Sequence, residues 1–252
     1  MKFKVRHIID YFEAGDYDLL RQIDYRNSTH GGKTNYGLAV LIQHHPLLLN
    51  GLQESPINII TDLGCGDAFF PLLAQATMHR TLHHLYLIER DPDRVNASFS
   101  NLEMLSPRQR RTVDLLPMSF TDDWDFYPAD TIPIVAYYLN NFGNCLREAE
   151  HMLSEKINNH SAVGSVVICY DAMFCHYSNW NLERVDIVNL PRGQCSWFCH
   201  HSEPEYIYSK PLSVFKYTKI HEDPTQSRSL RSSNVLVSTV SYADFWDQHS
   251  IV

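Results

Sequence analysis

The chain has 252 residues, 44% hydrophobic and 12% aromatic, enough for one sizeable core and too apolar for a disordered protein. Its formal net charge of -8 argues against a strongly basic surface that would grip nucleic acid through phosphates alone, so any chromatin contact must be local. The positive start Met1-Lys2-Phe3-Lys4 meets Asp10 and Glu13 before any adequate apolar stretch, so neither a secretory leader nor a membrane span is expected, and the six cysteines are read as reduced thiols of a soluble intracellular protein.

Ile8, Ile9, Phe12, Leu19, Leu20 and Ile23 fit one or two short helices broken near Gly15. Residues 27–35 form a polar loop carrying Gly31 and Gly32, either a segment able to cover a site or a plain connection. After Tyr36-Gly37, the apolar residues Leu38 to Leu49 suggest a helix interrupted at Pro46. Residues 1–55 are therefore expected to be a helical lead-in with a lid loop, and residues 56–252 a catalytic domain.

Ile57, Ile59 and Ile60 make a short β-branched run that reads as a buried strand, followed by Thr61-Asp62-Leu63-Gly64-Cys65-Gly66-Asp67-Ala68. Phe69, Phe70, Leu72, Leu73 and Ala76 then recur at helical spacing, with Pro71 tolerable in the first turn. Glycine at Gly64 and Gly66 lets a ligand approach the backbone at the helix start. A dinucleotide fingerprint wants a third small residue where Phe69 stands, and the acid Asp62 is a poor neighbour for phosphate. An acid suits instead a ligand carrying an ammonium and a sulfonium, which is S-adenosylmethionine. The segment resembles motif I of the class I methyltransferases, acidic-x-Gly-x-Gly-x-Gly, with Ala68 in the last glycine's place.

His84 to Ile88 is a second strand ending in Glu89, at the distance from the loop where an acid meets ribose hydroxyls. Val95, Phe99, Leu102 and Leu105 predict an amphipathic helix that stops before Ser106-Pro107. Arg108, Arg110 and Arg111 are the densest basic cluster, read first as a solvated helix end, then as a weak nuclear address or a nucleosome contact. A third strand over 112–117 leads to Ser119-Phe120, where Phe120 could stack on an adenine and Ser119 bond its amine, or Phe120 could simply pack in the core. A fourth apolar run, Ile132 to Leu139, delivers Asn140 and Asn141 to the carboxyl edge of the sheet. Leu146 to Ile157 predict a helix and Val163 to Cys169 a fifth strand, so the alternation implies a parallel sheet. Cys195, Cys199, His200 and His201 lack a paired second half, and no metal is expected. Residues 214–217 and 235–240 predict two final strands.

Asn140-Asn141-Phe142-Gly143 resembles the Val-Asn-Asn-Phe motif ending the fourth strand in the Dot-one (disruptor of telomeric silencing) family of non-SET histone H3 lysine methyltransferases. Tyr36-Gly37, Asp62-x-Gly64-x-Gly66, Glu89, Ser119-Phe120 and Ser196-Trp197 before Pro204 and tyrosines are similar to other ordered family motifs, and the short chain is similar to kinetoplastid members. Phe69 stands where the family often has Gln, Ser119 replaces Asp, and the shifted spacing after Trp197 leaves Tyr206 or Tyr208 as the channel tyrosine.

The resemblance implies an α/β class I fold, Rossmann-like, with a seven-stranded mostly parallel sheet. It implies S-adenosyl-L-methionine held by Asp62, Gly64, Gly66, Phe69, Glu89, Ser119, Phe120 and Asn140. A lysine channel would be lined by Tyr36, Asn140, Phe142, Trp197 and Tyr206 or Tyr208. The implied partner is histone H3 in nucleosomes, with a weak contact to nucleosomal DNA, no membrane and no metal, in the nucleus. The other readings are a class I methyltransferase with another protein or a small-molecule substrate, and a degenerate methyltransferase fold serving as a chromatin scaffold.

Overall fold

The computed structural model describes residues 36–52, 56–78, 81–103, 105–127, 132–140, 149–173, 178–190, 211–222 and 235–248. The chain order is α1 (Tyr36–His44), β1 (Ile59–Leu63), α2 (Phe69–Thr77), β2 (His84–Glu89), α3 (Pro92–Leu102), α4 (Pro107–Arg110), β3 (Val113–Pro117), β4 (Val135–Leu139), α5 (Glu150–Asn159), β5 (Val166–Cys169), β6 (Trp180–Val188), β7 (Leu212–Lys219), β8 (Leu236–Ser241) and α6 (Tyr242–Gln248).

The strands form one sheet in the order β3-β2-β1-β4-β5-β7-β6-β8. β7 runs antiparallel to both β5 and β6, whereas the other neighbouring pairs are parallel. The expected mostly parallel α/β sheet is present, with eight strands among the described residues rather than seven. The additional strand is β6, whose Glu183, Arg184 and Asp186 break up the apolar pattern. It is placed by register instead, because eight of its residues pair with β7 and six with β8.

Side chains alternate across the strands, so each face of the sheet has its own core. Ile60, Leu85, Leu87, Ala136 and Ile168 pack with α1, α2 and Phe245 of α6. Leu63, Ile88, Tyr137, Val167 and Cys169 pack with Trp124, Tyr127 and the Leu153–Ile157 face of α5. Leu38 to Gln43 are completely buried, and Gln43 donates to the Phe70 carbonyl at 2.9 Å. The described part of the expected lead-in is thus built into the same core as the sheet; residues 1–35 lie outside the described set.

Trp180 opens β6 in the second core, with its indole Nε1 donating to Asn158 Oδ1 at 3.1 Å. Replacing it with alanine leaves a large cavity and removes one of the two bonds to Asn158 Oδ1, which still accepts from Asn179 Nδ2 at 2.8 Å. Trp180→Ala is expected to cost about 3–5 kcal/mol, read as a lower midpoint in urea denaturation.

Candidate active site

From β1 the chain moves outward in one direction through β2 and β3, then crosses back to β4 on the other side of β1. The strand order reverses between β1 and β4, and in open α/β sheets the crevice beyond the carboxyl ends of such strands is where ligands settle. Asp62 lies there, paired in register with Leu87 of β2 and Tyr138 of β4. Leu63, Glu89, Pro117, Leu139 and Cys169 end β1 to β5 at the same edge.

The loop leaving β1 is closed by backbone bonds. Gly64 and Cys65 amides both donate to the Ile88 carbonyl, at 2.8 and 3.0 Å, and the Ala68 amide donates to the Cys65 carbonyl at 2.9 Å. Gly64 and Gly66 have φ of +86° and +60°, and a β-carbon built on either would meet no atom within 4 Å. Glycine is needed there for its left-handed backbone, and the space above is open. Ala68, in the place of a third glycine, is itself left-handed at φ 65°.

Glu89 takes part in forming this loop. Its Oε2 accepts from the Gly66 amide at 3.0 Å, while Oε1 accepts from Arg90 and Asp91 amides at 2.9 and 3.0 Å. A carboxylate offers about four acceptor sites, so about one remains for a ligand hydroxyl rather than the pair expected from sequence.

Asp62 differs in having no anchor. It is 2% exposed, and among the described residues no hydrogen-bond partner reaches its carboxyl group. Burial pushes its pKa well up, and repulsion from Glu89 and then Asp67 adds to this. The same burial, followed by Asp62 and Glu89, holds the Cys65 thiol well above its usual range, so it is no nucleophile. The three carboxyl groups do not form a metal site: no group of metal-ligating side chains occurs among the described residues.

Phe69 requires a correction. Its ring, expected at the cofactor, lies in the first core, so its bulk does not bar a pyrophosphate. The steric reason for excluding dinucleotides therefore fails, and an electrostatic one replaces it. The Phe69 amide at the start of α2 is taken by Asp67 Oδ1 at 3.1 Å, so a carboxylate already fills the place where a helix start would hold phosphate.

Ser119 and Phe120 follow β3 at the same edge. The Ser119 hydroxyl is engaged with Thr121, 2.7 Å from its hydroxyl and 3.2 Å from its amide, and the Ser119 amide donates to Asp122 at 2.9 Å. Phe120 packs against the second core, and its carbonyl accepts from Trp124 Nε1 at 2.9 Å. Asn140 directly follows β4, beside the switch point. Beneath it, Tyr138 stacks on Phe70 with ring centres 3.7 Å apart, and its hydroxyl lies 3.1 Å from that of Tyr170. Tyr36 opens α1, whereas Phe142, Trp197, Tyr206 and Tyr208 lie outside the described residues, as does the Cys195–His201 cluster.

Sequence reasoning missed two residues that touch the loop, Ser98 and Asn101 of α3. The apolar pattern placed Phe99 on the buried face, yet Phe99 is 46% exposed while Ser98 is fully buried. The inward face of α3 is Val95, Ser98, Asn101 and Leu102. The available signal was a polar pair at helical i, i+3 spacing beside apolar residues.

No protein-family model and no curated protein matches the sequence. Solved structures do match in fold. A Listeria monocytogenes protein assigned as a class I S-adenosylmethionine-dependent methyltransferase superposes with a TM-score of 0.59 at 14% identity, covering 94% of this chain and 74% of that one. A Staphylococcus aureus protein assigned as a caffeoyl-CoA O-methyltransferase gives a TM-score of 0.50 at 10% identity, over 85% of this chain and 98% of the other. The chain therefore has the class I methyltransferase fold.

Two substitutions test the geometry. An acid whose folded pKa is raised binds more protons folded than unfolded, so stability is lost as pH rises from the unfolded toward the folded pKa. Asp62→Asn removes that penalty at pH 7 and is expected to raise Tm by about 2–4 °C, seen by differential scanning fluorimetry, with the gain vanishing at acid pH. Glu89→Gln sets an NH2 group against backbone donors whichever way it turns. It is expected to lose about 1–3 kcal/mol in thermal denaturation, no better than Glu89→Ala.

Proposed function

We propose that this chain is an S-adenosylmethionine-dependent methyltransferase. The observation that carries the reading is the pairing, at the switch point, of an open left-handed glycine loop with the buried carboxyl of Asp62, which has no hydrogen-bond partner among the described residues, and the loop-bound carboxylate of Glu89. The residues fit that cofactor. Asp62 would take its ammonium, the remaining acceptor site of Glu89 a ribose hydroxyl, and Phe120 would flank the adenine. When bound, the cofactor supplies a methyl group already activated by a sulfonium. The protein's own task is alignment and exclusion of water. No side chain need act as a nucleophile, in accord with the raised Cys65 thiol.

The narrower reading is a histone H3 lysine N-methyltransferase of the Dot-one type, acting on nucleosomes in the nucleus. It is supported by the sequence resemblance of Asn140-Asn141-Phe142-Gly143 and the ordered motifs around it. A lysine of ordinary pKa about 10.4 must be neutral to accept a methyl group, and an apolar channel lowers its pKa by disfavouring the charge. Tyr36, Phe142, Trp197 and Tyr206 or Tyr208 would line that channel, with the Asn140 amide orienting the amine. The basic residues on α4, Arg108 and Arg110, with Arg111 after it, would give the weak contact to nucleosomal DNA. No helix among the described residues is long and apolar enough to cross a membrane.

Isothermal calorimetry with S-adenosylmethionine separates enzyme from scaffold, and micromolar binding is expected, with loss in Asp62→Asn. Nucleosomes incubated with labelled cofactor should then carry a methyl on an H3 core lysine, located by mass spectrometry. Asn140→Ala should lower turnover by about two orders of magnitude, the scale of a lost positioning contact, with cofactor affinity retained. Cofactor binding without any labelled H3 would reject the histone reading and leave the methyltransferase one.

A further inference from the structure

Helix α3 meets the glycine loop with hydroxyl and amide groups. Ser98 Oγ donates to the Gly66 carbonyl at 2.6 Å, and Asn101 Nδ2 donates to the Asp67 carbonyl at 2.8 Å. Both side chains are buried, at 0% and 9% exposure. Ser98 Oγ also lies 3.8 Å from Cys65 Sγ, but the short bonds of both side chains run to the two loop carbonyls. In a trans peptide the C=O and the following N–H point in opposite directions. Drawing the Gly66 oxygen toward α3 therefore turns the Asp67 N–H away from it, and drawing in the Asp67 oxygen turns away the Ala68 N–H, which reaches the Cys65 carbonyl.

This orientation needs a lock. Gly66 populates left- and right-handed conformations with similar ease, so the Gly66–Asp67 peptide is the one in the loop most able to flip. A flip would point a carbonyl dipole into the space above the glycines, beside Asp62 and Glu89. The amino-acid end of the proposed cofactor carries a carboxylate next to its ammonium, and that carboxylate needs N–H donors, not carbonyl oxygens.

We propose that Ser98 and Asn101 are positioning residues for cofactor binding: by holding the Gly66 and Asp67 carbonyls against α3, they keep the ligand side of the glycine loop free of carbonyl lone pairs. The proposal rests on the reading of this loop as a cofactor site.

The test is calorimetric affinity for S-adenosylmethionine at 25 °C, alongside the thermal midpoint of each variant, with wild type measured first. Absence of binding by wild type would remove the cofactor reading itself. Given wild-type binding, Ser98→Ala and Asn101→Leu should each weaken affinity about tenfold, the factor of one lost buried donor. Ser98→Thr, which restores a hydroxyl, should return to within about threefold of wild type. Phe99→Ala, on the exposed side of the same helix, should leave affinity unchanged. Variants that lose thermal stability but bind as wild type would show that the two side chains serve the fold alone, and would overturn the proposal. Should Asn101→Leu not fold, Asn101→Gln, which displaces the amide by one methylene, carries the same expectation and the same counter-result.

Discussion

Asp62 is the next-to-last residue of a strand, its neighbours in register are Leu87 and Tyr138, and no described donor reaches its carboxyl group. Such a group is costly to keep: its charged form is desolvated and lies within the field of Glu89 and Asp67. The loop after it must turn sharply enough to bring Glu89 against the Gly66 amide, which requires left-handed backbone at Gly64 and Gly66. On the side where a β-carbon would stand, both glycines leave open space.

The same cluster explains why a helix start in a Rossmann-like sheet need not bind phosphate. The first amide of α2 is already bonded to Asp67, and two more acids stand nearby. What separates a dinucleotide site from this one is therefore the charge already installed at the helix start, more than the size of the residue in the third glycine position.

The fold and the loop were legible in the sequence because their signals are local. Ile57 to Ala68 announces a strand and a glycine turn, and Glu89 follows an apolar run at a telling distance. What was not legible depends on register and on contacts between distant segments. β6 mixes Glu183, Arg184 and Asp186 into its pattern because only part of it is covered, and its identity as a strand comes from β7 and β8. The face of α3 was misjudged because apolar periodicity weighs Phe99 above Ser98, although the helix turns its polar residues inward to meet backbone carbonyls. Phe69 was assigned by alignment to a motif, whereas its ring follows the helix into the core.

The bonds that shape the glycine loop come from Ile88, Glu89, Ser98 and Asn101. All lie within about forty residues of Gly64, a separation that favours fast closure. On a ribosome, where chains assemble from the amino-terminal side, this half of the crevice can form before β4 has been translated. The opposite wall must wait for β4, and the β5–β7–β6 join for residues beyond 211. The far side of the sheet is completed last, where an antiparallel strand enters between two that precede it in the chain.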